Sequence, residues 1–407
     1  MAHPRLVVVG AGLAGVTAVE TLRSEGFDGS VTMVGAEPHA PYERPPLSKG
    51  FLMGTESRES VFSHPDDWYR EHAVELHTGV RVTAIDRNAQ VVETAGSERI
   101  GYDGLLLATG SRPRGLDVPG TELVGVHQLR TLDASEGLKT ALEDAERLVV
   151  AGGGWIGLEV AAAARIAGLD VVLVERGDVP LGGALGPRVA QVFADLHRDH
   201  GVGVLTHREV RRFLGHHGIL EAVELDDGTR LDADLALVAV GAVPRTELAE
   251  AAGLAVDDGV LVDAHLRAAD PRIFAAGDVA NADHPVLGRR VRVEHWANAR
   301  SQGPVAARAM LGQDVVHEDL PFFFTDQYEL GMEYVGYAPP GAYERVVLRG
   351  DVAGLTFVAF WTSGDRVVAA MHVNTWDATE PLTELVRSGR NVGADRLADA
   401  AVPLAQL

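Results

Sequence analysis

Leu6-Val7-Val8-Val9-Gly10-Ala11-Gly12-Leu13-Ala14-Gly15 is an apolar, β-branched run that ends in spaced glycines. The pattern predicts a strand feeding a helix. Gly10 permits the tight turn, Gly12 lets backbone approach a pyrophosphate, and Gly15 lets the helix sit close on its strand. A dinucleotide can then rest its phosphates on the helix N-terminus. One such motif is weak by itself, but a second predicted strand, Val31 to Val34, runs into Glu37, about where a ribose-binding carboxylate is needed. The pattern also recurs at Leu148 to Glu175, with Gly152, Gly154 and Gly157 after one strand and Glu175 closing the next. Glu175 can accept from a ribose 2′-hydroxyl and would repel a 2′-phosphate, which predicts NADH over NADPH; Arg176 beside it works the other way.

Composition bounds the rest. The 407 residues call for two or three domains. A hydrophobic fraction of 46% with 46 glycines suits a turn-rich α/β enzyme. The formal charge of −22 argues against nucleic acid or an anionic membrane as partner and reads first as solubility. There is no cysteine, so disulfide frameworks, thiolate metal sites and dithiol relays are all excluded. The 16 histidines are scattered, without a His-Glu-x-x-His helix, so no metal site is expected. No Gly-x-Ser-x-Gly elbow for hydrolysis is present. Met1-Ala2-His3-Pro4 leads straight into the first strand with no leader-like segment, and no apolar run approaches the roughly 18 residues of a membrane span. A soluble, cytoplasmic protein is the expectation.

Both halves follow one order. In the first, Ala14 to Ser24 reads as a helix, Ser30 to Gly35 as a second strand and Val74 to Ile85 as a third. A polar hairpin then returns to the apolar run that ends Ala108-Thr109-Gly110. In the second, Gly203 to Val210 is a third strand, Leu220 to Leu231 a hairpin turning at Asp226-Asp227-Gly228, and Leu235 to Gly241 the return. An internal duplication explains both. Val118 to Glu146, with a helix over Asp133 to Glu143, connects them as a hinge. The segment Pro41 to Lys49 forbids a helix before about Leu47. It is either a rigid surface linker or a site where Lys49, just inside a helix start, meets an anionic neighbour. Asp278, after Gly277 at a strand end, either caps the next segment or binds a ligand. Glu294 to Met310 has helical periodicity. From Leu320 the composition shifts to aromatic and β-branched residues, with strands at Arg345 to Arg349, Thr356 to Trp361 and Val367 to Val373, then a helix from Thr379, its candidate cap, to Arg387, with Gly389 beyond.

These residues, with Arg44 to Lys49, Gly152 to Glu159, Glu294 to Trp296 and Phe324-Thr325-Asp326-Gln327-Tyr328, resemble the FAD-dependent, NADH-linked ferredoxin reductases that feed bacterial oxygenases. The resemblance covers nearly the whole chain and implies an α/β fold of the glutathione reductase type: two Rossmann-like nucleotide-binding domains plus a C-terminal α+β domain. Residues 1–112 and 241–316 would be the two parts of the FAD domain, 113–240 the NAD domain and 317–407 a C-terminal interface domain.

The resemblance also assigns roles. Gly10, Gly12, Ala14, Gly15 and Glu37 would hold the FAD adenosine and pyrophosphate and Val82 the adenine. Arg44, Lys49 and Arg130, with the strand end Ala108-Thr109-Gly110, would add flavin contacts. Asp278 would bind the ribityl or pyrophosphate region and Trp296 would lie against the isoalloxazine, with Gly277 and Glu294 as further cofactor-binding residues. Gly152, Gly154, Ile156, Gly157, Glu175 and Gly241 would bind NAD. Lys49 and Glu159 resemble the family's pair beside flavin N5, the alternative being a surface ion pair. Phe322, Phe323 and Phe324 stand where the family often has tryptophans, so stacking near the flavin or at the docking face is expected to differ. The implied partner is a [2Fe-2S] ferredoxin, with an oxygenase downstream. Rubredoxin, a Rieske protein, oxygen or a small acceptor are alternatives on the same scaffold. A non-enzymatic, redox-switched binding protein resembling apoptosis-inducing factor is a further one, although that family's long basic insertions are absent. Because ferredoxins of this kind are acidic, docking calls for a basic patch, and Arg289, Arg290 and Arg292 are the densest candidates, the alternative being a solvated turn after Gly288.

Overall fold

Leu6 to Val9 are buried without alternation, as a strand covered on both faces must be. The computed structural model describes residues 4 to 407, leaving Met1 to His3 of the expected leaderless start outside the described residues, and puts Arg5–Val9 in the middle of a parallel sheet. The strand order is Ile273–Ala275, Gly104–Leu107, Arg5–Val9, Ser30–Val34, Val74–His77. Helix Leu13–Ser24 leaves the first strand through the glycine turn. This sheet belongs to a unit made of the described residues up to Glu43, Arg58–Arg112 and Val243–Pro321. One apolar core serves it, with Val8, Val16, Leu105, Phe274 and Ala306 among its buried members.

A second unit comprises Arg44–Ser57, Pro113–Ala242 and Phe322–Leu407. Its parallel sheet repeats the order of the first: Val126–His127, Leu235–Val238, Arg147–Ala151, Asp170–Glu175, Gly203–Thr206. Each half also carries a three-stranded antiparallel sheet, Val82–Asp86 with Val91–Thr94 and Arg99–Gly101 in one, and Val210–His216 with Ile219–Leu225 and Arg230–Asp232 in the other. Phe322–Gln327 begins a five-stranded antiparallel sheet, continued by Leu330–Gly336, Arg366–Val373, Thr356–Ser363 and Arg345–Asp351. The indole N–H of buried Trp361 in this sheet donates to the carbonyl of Leu185, 3.1 Å away.

Several sequence expectations need correction. The run Val74 to Ile85 is two strands, parted at Gly79 (φ +69°), because it serves first the parallel sheet and then the antiparallel one. Gly203 to Val210 divides in the same way. The helix Gly182–Asp199 has no counterpart in the sequence reading, because Gly182, Gly183, Gly186 and Pro187 mask its bent first turns. Thr379 is the first helical residue rather than the cap, and its hydroxyl donates to the Glu333 carboxylate. Lys49 does not lie inside a helix start. Pro45–Ser48 is a single 3-10 turn and Lys49 ends it, so the opposed-dipole argument lapses. Among the described residues, no helix is long and apolar enough to cross a membrane.

Candidate active site

In the first unit, Gly10 has φ +119°, and a Cβ there would lie 2.1 Å from the Ala108 carbonyl oxygen. Only glycine lets the two strand ends close up like this. At Gly12 a Cβ would meet nothing within 4 Å. Gly12 caps helix Leu13–Ser24 without a side-chain bond to its amides, and the first turn has no acidic residue. Bare amides and open space are what a pyrophosphate needs. Glu37, past the second strand, accepts from the Tyr42 hydroxyl at 2.5 Å. Buried Asp278 accepts from the Ser111 hydroxyl at 2.7 Å, and the Gly277 amide donates to Gln302 at 2.8 Å. Thr109 donates to the Arg245 carbonyl at 2.8 Å, and Val82 is buried at the start of its strand. Trp296 opens helix Trp296–Met310; its indole N–H donates to Glu43, and the Arg300 guanidinium lies 4.9 Å from its ring centre. Burial pushes the Glu43 carboxyl above its ordinary pKa, against the lowering effect of the Trp296 bond.

The second unit repeats the device. Gly152 has φ +107°, and a Cβ would lie 2.4 Å from the Ala239 carbonyl oxygen. Gly154 again caps a helix, Trp155–Ile166, with no side-chain bond and no acid in the first turn. Glu175 accepts from the Gly153 amide at 2.8 Å and from the Gly177 amide at 2.7 Å, so both carboxylate oxygens are held by backbone. Gly153, Gly154, Glu175 and Gly177 line a cleft of about 540 Å³ with Trp155, Asp178 and Gly183. Ile156 is 37% exposed on the first turn, and Gly157 is buried behind it. The Gly241 carbonyl accepts from the Arg114 amide at 2.9 Å.

Also in the second unit, Lys49 Nζ lies 2.9 Å from Glu159 Oε1, with side-chain exposures of 16% and 7%. A pair so buried is no surface ion pair. Ser48 donates to Glu159 Oε2 at 2.5 Å and Thr325 to Oε1 at 2.6 Å. The Lys49 ammonium also lies 5.0 Å from the Phe324 ring centre. Phe323 stacks on Tyr334 at 4.5 Å and lies 4.9 Å from Trp155. Arg44 donates to the Arg130 carbonyl, which joins two residues that the sequence could only name separately. Ser48, Glu43 and Trp155 were not singled out as functional. Their one signal was adjacency to Lys49, Arg44 and Gly154.

The arginine patch reads differently in three dimensions. Arg290 donates to the carbonyls of Val262 and Asn281, each at 2.9 Å, and to Asp283 at 2.7 Å across the strand pair. Arg292 is 13% exposed and pairs with Asp258 at 3.1 Å and with Glu294. Nearby carboxylates therefore offset most of the positive charge expected to guide an acidic partner.

Residues 4–303 match the family model for pyridine nucleotide-disulphide oxidoreductases, and residues 322–407 match the reductase C-terminal model. This chain belongs to the pyridine nucleotide-disulphide oxidoreductase family. Its members use FAD and NAD(H), and the chain is an oxidoreductase. Similar relatives include putidaredoxin reductase of Pseudomonas putida, 37% identical over 100% of this chain and 97% of the relative. Another is the ferredoxin–NAD(+) reductase component of the anthranilate 1,2-dioxygenase system of Burkholderia cepacia, 39% identical over 99% of each. The solved covalent putidaredoxin reductase–putidaredoxin complex contains a chain that matches this one with a TM-score of 0.95, 37% identity and coverage of 99% and 98%. The two glycine cradles, each with an uncapped helix start and a carboxylate at or just past the end of the next strand, fit two dinucleotides.

Proposed function

We propose that the chain is a ferredoxin reductase that carries electrons from NADH through FAD to a [2Fe-2S] ferredoxin, which in turn supplies an oxygenase. The observation that carries this reading is a pair of dinucleotide cradles in a chain with no cysteine. Without cysteine the chain has no dithiol to receive electrons, so they leave for an external acceptor. The full-length likeness to reductases named for ferredoxin partners supports an iron-sulfur protein as that acceptor. FAD, when bound, links a two-electron hydride donor to a one-electron acceptor.

In this reading the first unit is the FAD domain. Gly10, Gly12, Ala14, Gly15 and Glu37 hold the adenosine and pyrophosphate, Asp278 the chain beyond it, and Trp296 faces the ring. Residues 113–240 are the NAD domain, with Glu175 on the ribose, and the C-terminal sheet is the interface domain. Lys49 and Glu159 are the pair that would act on the bound flavin, whose charge a fixed cation and carboxylate would tune. The protein works in the cytoplasm, where NADH is supplied. Anaerobic stopped-flow mixing of the NADH-reduced holoenzyme with [2Fe-2S] ferredoxins tests the reading. Fast bleaching of a ferredoxin is expected; reduction of small acceptors but of no ferredoxin would refute it.

A further inference from the structure

We propose that Thr325, Gln327 and His197 are a positioning chain that holds the Glu159 carboxylate in place for its pairing with Lys49. The proposal rests on the reading that Lys49 and Glu159 act beside the flavin, and it extends their machinery to three residues remote in sequence.

The bonds run in one direction. A carboxylate only accepts, so the Thr325 hydroxyl donates to Glu159 Oε1 at 2.6 Å. Its lone pair then accepts from the Gln327 amide nitrogen at 3.2 Å. The Gln327 carbonyl oxygen, turned the other way, lies 2.9 Å from His197 Nε2 and accepts its proton. That assignment follows from the network. Thr325 and Gln327 are 1% exposed and His197 is 0% exposed. The two strand residues are spaced i, i+2, which puts them on one face of Phe322–Gln327. His197 reaches them from helix Gly182–Asp199.

Two features separate this chain from ordinary packing. First, its polarity leaves the lone pair of His197 Nδ1 buried with no partner among the described residues. A core that needed only volume would fill this place with an apolar side chain, because an unpaired buried polar atom is costly. Second, it ends on the carboxylate that holds Lys49. It is not a proton wire: the Gln327 amide cannot pass a proton without an unfavourable tautomer, and burial holds His197 below its ordinary pKa and neutral. What it supplies is orientation. Thr325 and Lys49 share Oε1 while Ser48 holds Oε2, so the carboxylate cannot rotate.

The test is Thr325→Val in the FAD-loaded enzyme, which keeps shape and loses the donor. Hydride transfer from NADH in anaerobic stopped flow should slow about tenfold, about 1.4 kcal/mol, and the flavin midpoint potential should shift. NAD+ affinity should hold, and Thr325→Ser should restore the rate. A crystal structure of Thr325→Val should show the Glu159 carboxylate turned from Lys49. Gln327→Met should act in the same direction by about threefold, and it decides the matter if Thr325→Val does not fold. In a Glu159→Gln background Thr325→Val should add nothing; full additivity would overturn the proposal. If Glu159→Gln slows hydride transfer while Thr325→Val and Gln327→Met do not, the chain falls and the Lys49–Glu159 reading stands. If Glu159→Gln itself behaves as wild type, both fall.

Discussion

Glu175 should set coenzyme choice, and Glu175→Gln is the perturbation that isolates its charge. Both carboxylate oxygens are fixed by the Gly153 and Gly177 amides, so the negative charge stays at the rim of the cleft. A 2′-phosphate carries about 1.5 to 2 negative charges. At about 5 Å, with an effective dielectric of about 40 for an open cleft, Coulomb repulsion is about 2 to 4 kcal/mol. At 1.4 kcal/mol per factor of ten, NADH should be preferred by roughly 30- to 1,000-fold. The glutamine keeps one acceptor and loses the charge. One backbone amide then loses its partner, which should raise the NADH KM by several-fold. The NADH-to-NADPH ratio of kcat/KM, measured with ferricyanide as acceptor, should fall at least tenfold. Arg176→Ala should leave the ratio NADH-favouring, since Arg176 is exposed and opposes the discrimination. Comparable specificity constants in the wild type, or an unchanged ratio in Glu175→Gln, would refute the electrostatic argument.

Removing one of Lys49 and Glu159 strands a buried charge and should cost roughly 3 to 5 kcal/mol, while the double variant should cost less than the sum; an additive cycle on hydride-transfer rate would argue against contact. Arg290→Glu should lower Tm and slow ferricyanide and ferredoxin reduction alike, because it abandons two carbonyls and opposes Asp283; a loss confined to ferredoxin would restore the docking role expected from sequence. Burial, and secondarily His284, lower the His317 pKa to about 4. The unfolded chain binds that proton near pH 6.5, so stability should fall between pH 6.5 and about 4 by on the order of 3 kcal/mol, and His317→Gln should flatten that slope in pH-resolved denaturant melts.

Much of the architecture is local chemistry, and local chemistry can be read along the chain. Gly10 and Gly152 sit at the ends of unbroken apolar strands, where only glycine allows the turn, so both cradles and their duplication were visible at once. Glu37 and Glu175 followed from the spacing of the next strand. The limits came where one run serves two sheets, as in Val74 to Ile85, and where glycines and proline hide a helix, as in Gly182–Asp199. Charge was the other limit. Arg289, Arg290 and Arg292 look like a basic patch in one dimension, but strand pairing and turns bring Asp283 to Arg290, and Asp258 and Glu294 to Arg292. The same holds for Glu159. Its residue type and its likeness to a family residue were evident in the sequence, whereas its three donors come from Ser48, Lys49 and Thr325, which stand 111, 110 and 166 positions away. A hydrogen bond depends on distance in space and not along the chain, so only the tertiary structure could decide which side chains share that carboxylate.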